Sequence, residues 1–171
     1  DVLVNNAGAT WGASLEEFPE KGWDKVTSLN LKTPFFLIQK FLPMLKVGAT
    51  PDDPSRVINI GSVDGIRVPI WDNYSYAASK AGLHHLSKTL VRPLAGHNIN
   101  VNTIAPGPFS TDMMAPMKEA GWGDTVTSAV PLNRFGEAKD IIGTAIFLAS
   151  QASSYITGAT IPVDGGMSGS T

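Results

Sequence analysis

Tyr76 and Lys80 stand four residues apart in Tyr-Ser-Tyr-Ala-Ala-Ser-Lys, and Ser62 lies fourteen residues before Tyr76 at the end of an apolar run. If the Tyr-to-Lys segment is helical, both side chains sit one turn apart on the same face. The ammonium then lies beside the phenol. An unperturbed tyrosine titrates near ~10, and a close positive charge favours the phenolate, which moves the group towards exchanging a proton with a substrate oxygen. Ser62 offers a short hydroxyl that can hydrogen-bond the same oxygen and hold it in place. Three groups are thus expected to converge on one carbonyl or alcohol.

Such a constellation needs a sheet edge and a helix to hold it. Residues 56–60, Arg-Val-Ile-Asn-Ile, read as a short buried parallel strand that delivers Ser62 at its carboxyl end, where open parallel sheets place their ligands. The helix starting near Tyr74 carries Leu83, Leu86, Leu90 and Leu94 on one stripe, and Pro93 is expected to end or bend it. Between strand and helix, Ile66, Val68, Pro69, Ile70 and Trp71 either line a substrate pocket or pack the loop.

Residues 1–4 form an apolar strand running into Asn5-Asn6-Ala7-Gly8, where small and amide residues let the backbone turn close to a ligand. Residues 15–45 are helical in pattern, interrupted by prolines. Pro34 falls four residues after Asn30 and has no N–H for the Asn30 carbonyl, so the helix should be distorted there. Residues 99–105 are the next strand, after a turn at Gly96 and Asn98, and end in Pro106-Gly107. Residues 109–131 lack periodicity but hold Met113, Met114, Met117 and Trp122, adaptable apolar side chains that suit a lid. A last amphipathic helix at 137–149 and a strand at 160–163 complete an alternation that implies an α/β fold, a doubly wound parallel sheet in one domain over 1–171.

Composition narrows the partners. Thirteen basic and fifteen acidic residues, with no basic run, point to neither nucleic acid nor an anionic membrane, and no apolar stretch reaches the ~20 residues of a spanning helix. The absence of cysteine fits a reducing, cytoplasmic setting and removes thiolate chemistry. No metal is expected, because His84 and His85 are adjacent and diverge around a helix, while His97 lies in a turn. All three histidines read as surface or packing residues.

Taken in chain order, Asn5-Asn6-Ala7-Gly8, Asn30, Gly61-Ser62, Tyr76-x-x-x-Lys80 and Pro106-Gly107-x-x-x-Thr111 resemble the short-chain dehydrogenase/reductase family, in its 3-oxoacyl reductase-like branch. The resemblance implies a Rossmann-like fold and hydride transfer between NAD or NADP and a small-molecule carbonyl or secondary alcohol. It implies a proton-transferring Tyr76, a Lys80 that tunes the phenol and holds the nicotinamide ribose, a substrate-positioning Ser62, and an Asn30 whose carbonyl ties a water to Lys80. It makes Asn5, Ala7, Gly8, Pro106, Gly107 and Thr111 cofactor-binding, and the Val-Asp-Gly-Gly tail at 163–166 implies a homo-oligomer, dimer or tetramer. A catalytically silent scaffold with the same fold remains open, as does a sugar-nucleotide epimerase or dehydratase, which Asn-Asn-Ala-Gly disfavours.

The sequence holds no glycine-rich phosphate loop opening a helix, which a dinucleotide needs for its pyrophosphate. At about 30 residues per βαβ unit, the missing amino-terminal units amount to roughly 80 residues. The expectation is therefore a carboxyl-terminal portion of a longer enzyme, with Val2 to Val4, Ile58 and Ile60 in a sheet left uncovered on one side, and with no cofactor binding or turnover by these 171 residues alone. Intact mass of the source protein checks this: a value near 18.1 kDa with saturable nicotinamide cofactor binding overturns it.

Overall fold

The computed structural model describes residues 1–169. Strand β1 (Val2–Asn5) leads through a loop to α1 (Glu20–Thr27), a π-helical turn (Ser28–Lys32) and α2 (Thr33–Val47). Strand β2 (Ser55–Ile60) is followed by a short 3₁₀ turn (Val63–Gly65) and the long α3 (Tyr74–Ala95), and β3 (Ile99–Pro106) follows. The short helices α4 (Ala115–Glu119) and α5 (Gly123–Ser128) precede α6 (Ala138–Ala149) and the final strand β4 (Thr160–Val163).

All pairings are parallel and the order is β1-β2-β3-β4, with Asn5 beside Asn59 and Asn59 beside Thr103. Successive strand residues point to opposite faces, so the two faces hold separate cores. On one face Ile38 and Leu45 of α2 and Leu94 of α3 pack with Val57, Ile99 and Val101. On the other, Leu148 of α6 packs with Ile58 and Ile104, flanked by Ile141, Ala145 and Ile161. Both faces of β2 and β3 are buried, so their apolar residues fall on both sides and their polar ones need partners inside.

That arrangement corrects one expectation: Ile58 is buried, because α6 covers the middle of the sheet. The cover stops short of β1, where Val2 and Val4 are 43% and 51% exposed. Pro93 also fails to end α3, which runs on to Ala95. The turn beyond it is made by Asn98 at φ 56°, a left-handed position that a short amide side chain tolerates. The irregular segment at 109–131 contains α4 and α5, each too short to declare itself by periodicity. No helix among the described residues is long and apolar enough to cross a membrane.

A polar ladder runs through this apolar interior. Asn5 Nδ2 donates to Asn59 Oδ1 (2.8 Å), Asn59 Nδ2 donates to Ser87 Oγ (2.9 Å), and Thr103 Oγ1 donates to the same Ser87 oxygen (2.9 Å). Ser87 in turn donates to the Leu83 carbonyl (2.8 Å), so β1, β2, β3 and α3 are tied at one level near the carboxyl end of the sheet. Asn59 is fully buried and central. Asn59→Ala is expected to lower unfolding free energy by roughly 2–4 kcal/mol, because each buried polar group left unpaired costs about 1–3 kcal/mol. Urea unfolding of the two proteins checks this.

Candidate active site

Ser62 lies one residue beyond β2, after Gly61, and its position is fixed by close packing onto α3. A Cβ on Gly61 would overlap the His84 imidazole, and one on Gly65 would come within 2.8 Å of both the Ala81 backbone nitrogen and His84 Cε1. Only glycine permits that approach. Ser62 is 6% exposed, and its Oγ accepts the Asp64 N–H (3.2 Å) at the start of the 3₁₀ turn. The Ser62 hydroxyl lies near enough to the Tyr76 phenol to favour its ionised form.

Lys80 lies one turn along from Tyr76 and is 4% exposed. Its Nζ donates to the Ile60 carbonyl at the end of β2 (2.7 Å) and stands over the Tyr76 ring, 5.6 Å from the centroid. Burial lowers its pKa from 10.5 to about 8. Burial also pushes the Tyr76 phenol above its ordinary value, against the pull of the Ser62 hydroxyl, with the Asp64 carboxylate adding to the rise. The sequence reading has Lys80 bringing the phenol down. Here the cation lies over the ring face and donates to a carbonyl, so desolvation decides the direction.

The Asn30 region behaves as Pro34 requires. Pro34 sits in the first turn of α2, and the chain before it widens into the π turn Ser28–Lys32, where Thr33 N–H reaches back to the Ser28 carbonyl. Asn30 is 1% exposed at its centre. Its Oδ1 accepts the Ala9 N–H (2.9 Å), and its Nδ2 donates to the Ala9 carbonyl (2.9 Å) and to Ser79 Oγ (3.1 Å). The side chain thus pins the loop after β1 to α3. Gly8 is held against the same groups: a Cβ there would lie 3.4 Å from Asn30 Oδ1 and 3.6 Å from Lys80 Nζ.

Asn30, Ser62, Tyr76 and Lys80 are therefore brought together, with Gly8 at their edge. Ala7, Gly8 and Thr111 are exposed along the carboxyl end of the sheet, whereas Asn5 is buried with its amide committed to Asn59. Pro106 ends β3, and Gly107 backs onto β4, its N–H donating to the Val163 carbonyl (3.0 Å); a Cβ on it would come within 2.7 Å of Asp164 Cα. Around the site, Ile66, Val68 and Ile70 are exposed rather than packed into the loop. Trp71 of that loop meets Trp122 edge-on, with ring centroids 5.7 Å apart, joining the loop before α3 to the α4–α5 segment. Among the described residues no group of three His, Asp or Glu is placed to hold a metal.

His84, read from the sequence as a surface or packing residue, is packed against the Ser62 turn. It is 7% exposed, and its Nε2 accepts the Ser62 N–H (3.3 Å). Burial first, then the Lys80 and Lys88 charges, lower its pKa from 6.5 to about 4, against a backbone hydrogen bond at Gly65. The available signal was its spacing, four residues beyond Lys80 on the face that carries Tyr76.

Lys80 has a measurable consequence for stability. Between pH of about 8 and 10.5 the unfolded chain holds a proton on this amine that the folded chain does not, so stability attributable to Lys80 rises with pH across that window. Lys80→Met is expected to abolish the rise, read from urea midpoints across the same range.

The sequence profile of the enoyl-(acyl carrier protein) reductase family matches residues 1–168. The chain is 46% identical over 167 residues to the rhamnolipids biosynthesis 3-oxoacyl-[acyl-carrier-protein] reductase of Pseudomonas aeruginosa, covering 97% of this chain and 65% of that protein. It is 40% identical over 172 residues to the 2-dehydro-3-deoxy-D-gluconate 5-dehydrogenase of Dickeya dadantii, covering 97% of this chain and 64% of that one. Among solved structures, the RhlG/NADP active-site complex of Pseudomonas aeruginosa superposes with a TM-score of 0.94 at 44% identity, over 98% of this chain and 66% of that chain. The chain thus spans about two thirds of the length of these relatives. With a profile match from end to end, and the Ser62, Tyr76 and Lys80 groups assembled at the carboxyl edge of a parallel sheet, the chain belongs to the short-chain dehydrogenase/reductase family.

Proposed function

We propose that this protein interconverts a ketone and a secondary alcohol by hydride transfer with a nicotinamide cofactor, NAD or NADP. The observation that carries the reading is the Tyr76 phenol near the Ser62 hydroxyl, with the buried Lys80 ammonium over its ring. Tyr76 gives a proton to the substrate oxygen or takes it back. The Ser62 oxygen already accepts the Asp64 N–H, which leaves its own proton to donate to the substrate oxygen. Lys80 stabilises the phenolate that forms, and the Asn30 carbonyl, denied a partner at Pro34, holds a water for proton resupply.

The residues present fit the nicotinamide end of a cofactor. Gly8 keeps the ground in front of Lys80 and Asn30 clear of side chain, and Gly107, Pro106 and Thr111 lie on the same sheet edge. Lys80 and Tyr76 would hold the ribose, Ala7 and Gly8 the adjoining backbone, and Gly107 and Thr111 the carboxamide. The bound nicotinamide supplies or accepts the hydride. That RhlG is solved with NADP supports this placement.

The substrate is inferred to be a 3-oxoacyl-type or related apolar ketone. The relatives' names divide between a 3-oxoacyl thioester and a sugar acid, and the exposed Ile66, Val68, Ile70, Met113 and Trp122 favour the apolar class. Assembly as a homo-oligomer is supported by Ile142 and Ile146, which α6 leaves 50% and 63% exposed.

In the full-length protein Tyr76→Phe should cut kcat by about 10²–10⁴-fold while the cofactor Kd moves less than about twofold, as expected when only the proton transfer is lost. Lys80→Ala should damage both. Steady-state kinetics with fluorescence titration of NADPH decides it, and a phenylalanine variant that keeps most of its rate removes the assignment.

A further inference from the structure

We propose that His84 is a positioning residue of this site: a neutral imidazole that clamps both ends of the Ser62–Gly65 turn and so aims the Ser62 hydroxyl at Tyr76. The inference rests on the reading of Ser62 and Tyr76 given above and goes beyond it to the group that sets their geometry.

Two kinds of contact carry it. Nε2 of His84 accepts the Ser62 N–H, at 3.3 Å, where the chain leaves β2. A neutral imidazole that accepts at Nε2 carries its proton on Nδ1, so the ring is the Nδ1-protonated tautomer. The second contact is steric, for Gly61 and Gly65, at the two ends of the turn, both lie too close to the imidazole to carry a Cβ. The turn between these points is closed on itself, with Gly65 N–H donating to the Ser62 carbonyl (3.0 Å) and Asp64 N–H to Ser62 Oγ (3.2 Å). Moving the ring therefore moves the turn that orients the Ser62 oxygen.

Helical spacing puts the clamp where it must be. Tyr76, Lys80 and His84 recur every four residues on α3, so one helix face holds the phenol, the ammonium and the support of the third hydroxyl. The three groups keep their relative positions because a single rigid element carries them.

The test uses the full-length protein and three variants. His84→Leu fills the space without an acceptor, His84→Gln restores an amide oxygen at the reach of Nε2, and Tyr76→Phe controls for the chemistry itself. A misaimed hydroxyl should lower kcat for ketone reduction about 10- to 100-fold in His84→Leu, with substrate KM and NADPH Kd little changed, and His84→Gln should recover most of it. Near-wild-type kcat in the leucine variant overturns the proposal. So does equal loss in the leucine and glutamine variants when circular dichroism and melting temperature match the wild type, since that marks a merely structural side chain. Nitrogen-15 NMR of the wild-type imidazole gives a readout independent of turnover: the expected pattern is a protonated Nδ1 and an unprotonated Nε2, and the opposite tautomer or a charged ring at neutral pH overturns the clamp. If wild type and Tyr76→Phe reduce ketones equally poorly, the functional reading fails, and the NMR result alone then decides the clamp.

Discussion

An ammonium held out of water at the end of β2 sets the terms for everything around it. Burying an unpaired charge is costly, and a protein lowers the cost by hydrogen-bonding the charge or by neutralising it. Lys80 does some of each: it donates to the Ile60 carbonyl, and its pKa falls to about 8. Among the described residues no carboxylate pairs with it: its neighbours are a main-chain carbonyl, the face of Tyr76 and the open ground in front of Gly8. A cation so placed is free to act on whatever oxygen enters beside it.

The rest of the fold divides the labour of keeping that cation in position. Two apolar cores, one on each face, supply the bulk of the burial without direction. Direction comes from polar side chains inside those layers. The Asn5–Asn59–Ser87–Thr103 ladder fixes three strands and α3 at one height, and Asn30 fixes the loop after β1 to Ser79, the residue before Lys80. A slip of α3 along the sheet would break these bonds inside a dry interior, where each loss counts in full. The lysine is therefore located by amides and hydroxyls some distance from it.

Much of this is legible in the sequence, and the limits have physical causes. The Tyr76–Lys80 spacing, the strand ending just before Gly61-Ser62 and the distortion before Pro34 follow from local rules of helix period, strand burial and a missing N–H, and each lies where those rules put it. What escaped depends on neighbours far along the chain. His84 looks like any helix histidine until Gly61 and Gly65 are folded against it. The direction of the Tyr76 shift depends on whether Lys80 faces the phenol oxygen or the ring, and a one-dimensional spacing does not hold that. Ile58 was expected to be bare because cover by α6, some 80–90 residues later in the chain, is set by the sheet as a whole. Pro93 shows the reverse limit: a strong local rule lost to the packing of Leu94 in the core at the helix end.

The direction of the pKa shifts bears on the proposed chemistry. Burial favours a neutral phenol at Tyr76 and pulls Lys80 towards neutrality, so the resting site is biased against separated charge. A neutral phenol is an acid, suited to protonating the oxygen of a ketone as that oxygen gains electrons. On the proposed chemistry the negative charge appears on Tyr76 as its proton leaves, where the ammonium already stands beside the ring. Groups arranged to meet a charge that develops only in the transition state lower the barrier, whereas a tyrosine ionised in advance would have no proton to give in that step. The desolvation that opposes Lys80's influence on the resting tyrosine is thus the same property that strengthens it once the phenolate forms, because a dry site raises every electrostatic interaction within it.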